Sequence, residues 1–165
     1  MINVFKCRSE ASLPTYATQF SACFDLYACL SDTTEVKIAN RDNNISGREV
    51  VNSSLILFPG DRALIPTGLK FNIPSCNSVR LHPRSGLSFK SGLMLSNCEG
   101  VIDEDYCEEV FVSLFNSSTV NVVVSHNDRI CQGEMVRDSR ADIVEVYFTP
   151  TQKTDRTGGF GSTGK

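Results

Sequence analysis

The sequence predicts an all-β domain, a barrel or sandwich, and three observations carry that expectation. Apolar residues fall in about ten short strand-length runs, turn-forming residues separate the runs at short intervals, and helical periodicity is almost absent. The 165 residues suffice for one compact core with little left over. With 41% apolar and 21% charged residues the composition is that of an ordinary soluble protein, which excludes global disorder.

Taken in order, residues 2–8 alternate enough for a short strand, which Leu13-Pro14-Thr15 breaks. Residues 21–28 form an apolar strand that carries one acid, Asp25, between Phe24 and Leu26. If buried it needs a partner, although alternation alone leaves open that it faces solvent. Residues 31–54 are polar and Asn-rich, with Ser46-Gly47 as a turn signal, and read as a long hairpin or a mobile, dispensable surface excursion. Regular structure resumes at 55–58, turns at Pro59-Gly60-Asp61, and continues through 62–74, where Leu69, Phe71 and Ile73 alternate with Lys70 and Asn72 as in a half-buried strand.

A strand over 79–81 ends at His82-Pro83. A short helix is expected to begin near Ser85. Its first N–H groups and the Ser85 hydroxyl would face an anion beside Arg84, unless Ser85 is only an N-cap next to a surface arginine. Residues 97–109 lie between apolar runs at 93–95 and 110–115 and crowd carboxylates at a corner expected to turn at Gly100. Val101 and Ile102 are apolar enough to anchor that corner, so Asp103 would be held by its neighbours and able to orient a water or a metal ion. The competing reading is a solvated acidic loop.

Runs at 110–115 and 120–124 flank Asn116-Ser117-Ser118-Thr119, the pattern of a hairpin. His126-Asn127-Asp128 makes the next turn, Arg129 and Gln132 follow as candidate ligands, and 143–148 is a last apolar run before Pro150. The tail is glycine-rich. Its residues 159–165 fit the front of a phosphate-cradling loop, but such a loop needs a preceding strand and a hydroxyl and helix after its lysine, so that match is set aside. Phe160 among small residues, with Arg156 upstream, suits an arm that folds over a ligand, its amides on phosphates and its ring on a base.

Whole classes of function fall away on charge and composition. No apolar run approaches the ~20 residues of a membrane helix, and Lys6 interrupts any signal-like block, so an intracellular, cytoplasmic protein without a membrane partner is expected. Seven cysteines show no C-x-x-C spacing, and His82 and His126 have no partner at finger-like distance. Free thiols, mostly packed as small apolar residues, follow. A net charge of −3 offers no basic stripe for a nucleic acid polymer, yet tolerates a small polyphosphate with its own metal.

Five groups of residues together carry a specific resemblance: Phe24-Asp25-Leu26; Arg84-Ser85-Gly86-Leu87; Asn97 with Gly100-Val101-Ile102-Asp103 and Tyr106; Asp128-Arg129-Ile130-Cys131-Gln132; and Arg156 with Gly159-Phe160-Gly161-Ser162-Thr163-Gly164. In this order, with Pro59-Gly60 and Pro66-Thr67-Gly68-Leu69 between the first two, the chain resembles the trimeric dUTP diphosphatase family. The resemblance implies a distorted jelly-roll-like β-barrel with one short helix over residues 1–150, residues 31–54 being an insertion, and a C-terminal arm over 151–165 that is swapped within a homotrimer. It implies Mg2+-dependent hydrolysis of dUTP to dUMP and pyrophosphate. On that likeness Asp103 activates the water that attacks the α-phosphorus, and Tyr106 packs under the deoxyribose. Asn97 and the backbone of Gly100, Val101 and Ile102 meet the uracil edge. Arg84, Ser85, Gly86 and Gln132 hold phosphates, Asp25 supports the metal through water, Arg156 reaches the terminal phosphate, and Phe160, with Gly161 and Ser162, closes over the base.

The chain departs from the family pattern in places. Cys23 stands where a glycine is usual, Cys107-Glu108 replaces a basic-glycine pair after Tyr106, Asn127 replaces a glycine, and Arg156 is one position nearer Phe160. Two alternatives stand beside it: a dCTP deaminase of the same barrel, against which Asp103 with Tyr106 and the Phe160 arm favour the hydrolase, and a catalytically weak regulatory protein that keeps the nucleotide site as a sensor and engages a partner through residues 31–54.

Overall fold

A computed structural model describes residues 1–155 and 158. Period-two alternation becomes strands in chain order: β1 (Asn3–Lys6), β2 (Thr15–Tyr16), β3 (Phe24–Tyr27), β4 (Glu35–Ala39), β5 (Ile45–Glu49), β6 (Ser54–Leu57), β7 (Arg62–Pro66), β8 (Leu69–Asn72) and β9 (Asn77–His82). The short helix α1 (Ser85–Ser91) follows, then β10 (Leu93–Leu95), β11 (Gly100–Ile102), β12 (Phe111–Asn116), β13 (Val122–Ser125) and β14 (Arg129–Arg137). The all-β expectation with one short helix is met.

Every pairing is antiparallel. One five-stranded sheet runs β10-β12-β7-β4-β5 and another β11-β9-β14-β3-β2, with two-stranded sheets β1-β8 and β13-β6 beside them. Apart from the β2–β3 and β4–β5 pairs, consecutive strands change sheets, as in a distorted jelly roll. Inward residues of all four sheets, among them Ile38, Ile65 and Leu114, Leu26, Val79 and Ile130, Leu55 and Leu69, merge into one hydrophobic core. Among the described residues no helix is long and apolar enough to cross a membrane.

Three local expectations change. Residues 31–54 are a hairpin and not an excursion: β4 pairs with β5 and with β7, and Val36 and Ile38 are buried. The polar composition misleads because only one face of β4 enters the core, while β5 buries no residue. Arg48 of β5 locks the hairpin down, bonding the buried Asp61 and the Ile56 carbonyl and lying over the Phe58 ring at 4.2 Å. Next, β12 and β13 do not pair; β13 joins β6, and the corner between them is built on the fully buried Asn116. Its Nδ2 donates to the carbonyls of Leu57 and Val120 at 2.9 and 2.8 Å, while Oδ1 accepts from the Ser118 N–H and hydroxyl. Finally, the turn expected at Gly100 lies at residues 96–99, and Gly100 already pairs with Leu81.

The cysteines are free, as expected, but their packing is not. Only Cys29 and Cys131 are buried, whereas Cys76, Cys98 and Cys107 are exposed.

Candidate active site

Strand register brings the first set of candidate residues together. On the β9-β14-β3 ladder Gln132 pairs with both His82 and Asp25, so the end of β9, where the chain turns into α1, lies beside the acid of β3. Asp25 is buried, and both of its oxygens are taken: Arg84 Nε donates to Oδ1 at 2.9 Å and Arg129 Nη1 to Oδ2 at 3.1 Å. The partner that a buried carboxylate requires is therefore a pair of guanidinium groups. Gln132 Nε2 donates to the Pro83 carbonyl at 3.0 Å and steadies the turn before the helix.

Arg84, not Ser85, is the N-cap of α1, with extended backbone at φ −88°, and no side chain caps the helix. Ser85 is the first helical residue and its hydroxyl is exposed. The capping alternative for Ser85 is thus overturned. The helix closes at Gly92, whose φ of +63° suits a glycine in the left-handed region. Asp25, Arg84, Ser85, Gly86, Arg129 and Gln132 line one open pocket of about 600 Å³, with Lys90 at its rim. Two arginines on one aspartate leave a net positive charge, and Lys90 adds another.

A second pocket, of about 290 Å³, gathers Asn97, Gly100, Val101, Ile102 and Tyr106. Leu64, Leu95, Phe111 and Ser113 supply its other walls. Its size and apolar lining suit a base and sugar. Among the described residues none lines both pockets.

Asp103 directly follows β11, where the buried Ile102 fixes the backbone and Tyr106 N–H donates to the Asp103 carbonyl at 3.1 Å. The anchoring expected of Val101 and Ile102 is supplied by Ile102 alone, since Val101 is 48% exposed. The Asp103 carboxylate is exposed and no side chain among the described residues bonds it. The three nearby glutamates are engaged: Glu104 accepts the Cys76 N–H at 2.6 Å, Glu108 accepts from Lys70 at 3.2 Å, and Glu109 accepts from Arg8 at 2.8 Å, while Asp105 is exposed as Asp103 is. Asp103 is held by its backbone and left chemically open.

Arg156, Phe160, Gly161 and Ser162 lie outside the described residues. Among those described, no three His, Cys, Asp or Glu residues cluster in a way that would hold a metal. Sequence reasoning missed the pocket walls Leu64, Phe111 and Ser113, which only strand pairing across β7 and β12 brings to the site. It also missed that Arg129 shares Asp25 with Arg84. A buried acid in an apolar strand was the available signal.

The family model for dUTPase matches residues 50–164. The chain belongs to the dUTPase family. A dUTPase relative from Finegoldia magna, a deoxyuridine 5'-triphosphate nucleotidohydrolase, is 38% identical over 143 residues, covering 79% of this chain and 99% of its own. One of the same name from Nautilia profundicola is 35% identical over 165 residues, covering 99% of both chains. Among solved dUTPases, a mutant from Staphylococcus bacteriophage 80alpha with dUpNHpp superposes with a TM-score of 0.76 at 18% identity, covering 100% of this chain and 99% of that one. That likeness is one of fold.

Proposed function

We propose that this chain hydrolyses dUTP to dUMP and pyrophosphate. The observation that carries the proposal is the pairing of an apolar, nucleoside-sized pocket, followed at once by an unpartnered carboxylate, with a separate cationic pocket. Asp103 acts as general base toward the water that attacks the α-phosphorus; its exposed side chain, bonded to no other among the described residues, is free to accept that proton. Tyr106 packs against the deoxyribose and leaves no room for a 2′-hydroxyl. Asn97 and the backbone of Gly100, Val101 and Ile102 read the uracil edge, where a wrong base leaves polar groups unpaired at about 1–3 kcal/mol each.

Arg84, Ser85, Gly86 and Gln132 receive the phosphates. Their charge is preplaced because Asp25 orients both guanidinium groups before substrate arrives. The Asp25 oxygens each already accept one bond, and a carboxylate has lone pairs to spare for water, so its fit to Mg2+ is through the metal's hydration shell. Mg2+ carried by the triphosphate neutralises and polarises its oxygens. Arg156 on the terminal phosphate and Phe160 on the base, with Gly161 and Ser162, complete the site from the tail.

A homotrimer with an exchanged C-terminal segment fits two further facts. In the single chain Ile143 and Tyr147 are 98% and 92% exposed, an apolar run with no core of its own. The nucleoside-sized and cationic pockets, moreover, share no lining residue among those described, an arrangement that a site divided between subunits accommodates.

Turnover of each deoxynucleoside triphosphate and of UTP, with and without Mg2+, tests the proposal. Pyrophosphate released from dUTP alone, dependent on Mg2+, is the expected outcome. Ammonia from dCTP would establish the deaminase instead, and tight binding without turnover the sensor.

A further inference from the structure

The loop between Asp103 and β12 is tied down at its far end by a bond network whose residues line neither the cationic nor the nucleoside-sized pocket. Arg8, just past β1, grips Glu109 with two bonds, Nε to Oε1 at 2.8 Å and Nη2 to Oε2 at 3.0 Å. Oε1 also accepts the Gly68 N–H at 2.9 Å. Gly68 sits at φ +70° with a hypothetical Cβ only 2.6 Å from that of Ala11, so no side chain fits there. The remaining Arg8 nitrogen donates to Thr33 at 3.0 Å. At 27% and 15% side-chain exposure the pair is largely covered, and its forked geometry sets it apart from a surface ion pair.

What this network holds is the nucleoside wall. The backbone carbonyl of Glu109 accepts the Tyr106 hydroxyl at 2.9 Å, and Tyr106 N–H reaches back to the Asp103 carbonyl. A continuous path therefore runs from Arg8 through Glu109 and Tyr106 to Asp103. Nothing comparable comes from the intervening Cys107-Glu108: Glu108 pairs with Lys70 in an exposed contact, 77% exposed on the acidic side.

We propose that Arg8 and Glu109 are positioning residues for the nucleotide site, their ion pair fixing Tyr106 against the sugar and Asp103 toward the phosphorus. The assignment rests on the dUTP reading of the pocket. It predicts that weakening the pair blurs the exclusion of a 2′-hydroxyl as well as slowing turnover, because both depend on where residues 103–106 sit.

The test compares Arg8→Met, Arg8→Lys, Glu109→Gln and Lys70→Met in the full-length assembled protein. Arg8→Met and Glu109→Gln are expected to lower kcat/KM for dUTP by about tenfold, a misplacement effect. Their preference for dUMP over UMP, measured by calorimetry, should shrink by about threefold. Arg8→Lys, which keeps the charge and loses the fork, should recover part of both. Lys70→Met, which breaks only the exposed pair, should stay within about twofold of the parent.

A lower melting temperature in Arg8→Met and Glu109→Gln, with kcat/KM and the dUMP preference unmoved, would reduce the pair to a brace and overturn the proposal. So would an equal loss in Lys70→Met. If Arg8→Met does not fold, Glu109→Gln, which keeps the shape and the Gly68 bond, decides alone. A parent protein that fails to hydrolyse dUTP would sink the assigned reaction, while the dUMP-to-UMP ratio would still decide whether Arg8 and Glu109 position the wall.

Discussion

Glu104, Glu108 and Glu109 each accept a bond from a cation or a backbone N–H, whereas the Asp103 carboxylate next to the pocket-lining Ile102 stays open. That contrast makes Asp103→Asn informative: the amide keeps the shape, disturbs no bond, and removes only the basic oxygen. Turnover of dUTP should fall by about 10³-fold, within the range of general-base loss, with dUMP affinity changed by less than about threefold. Undiminished turnover would exclude Asp103 as the base. Thiols supply a second prediction. Burial, reinforced by Asp32, pushes the Cys29 thiol from the ordinary 9.0 up to about 11, and burial pushes Cys131 up further. Between pH 9 and 11 the unfolded chain gives up these protons while the folded one keeps them, so stability is intact below pH 9 and falls above it. Urea midpoints measured from pH 8 to 11 should therefore drop, and drop less steeply in Cys29→Ala.

The β4–β5 hairpin illustrates what one strand's residues can and cannot say. Val36 and Ile38 alternate with Glu35 and Lys37, so the inward face was written in the chain, but the abundance of Asn and Ser between residues 40 and 54 outweighed it. The structure gives that polar stretch a purpose, since Asn40 closes the turn through its backbone and side chain and Asn43 accepts from Arg62. Ile38 is 1% exposed and faces Ala63 across the β4–β7 ladder. Truncating it to alanine should cost about 2–5 kcal/mol, the range for a large-to-small core change, and removing residues 35–49 should abolish folding. Chemical denaturation checks the first, and a soluble, cooperative deletion variant would contradict the second. Elsewhere local pattern sufficed: the helix start at Ser85, the β8 alternation and the all-β class follow from neighbours in sequence. The burial of Asn116 and the place of Leu64 were illegible for the opposite reason, because they depend on Leu57, which accepts from Asn116, and Ser113, which pairs with Leu64, each more than forty residues away.

In one chain the cationic pocket holds Asp25, Arg84, Ser85 and Gln132, and the nucleoside pocket holds Asn97, Ile102 and Tyr106, with Asp103 at its end. On the proposed reaction dUTP meets both sets at once, and the shared arrangement proposed for a closed ring gives each site its base from one subunit and its phosphate clamp from the next. Subunit mixing separates this arrangement from a site complete within each chain. Asp103→Asn removes the base. Arg84→Gln weakens the clamp while Arg129 still pairs with Asp25. Each variant alone should be nearly inactive. When they are unfolded together in equal amounts and refolded, random assembly in a cyclic trimer should place an intact Asp103 opposite an intact Arg84 in about one quarter of the sites. Activity should return to about a quarter of the parent level for the same reason. Were every site built from a single chain, each would carry one defect whatever its neighbours, and mixing would restore nothing.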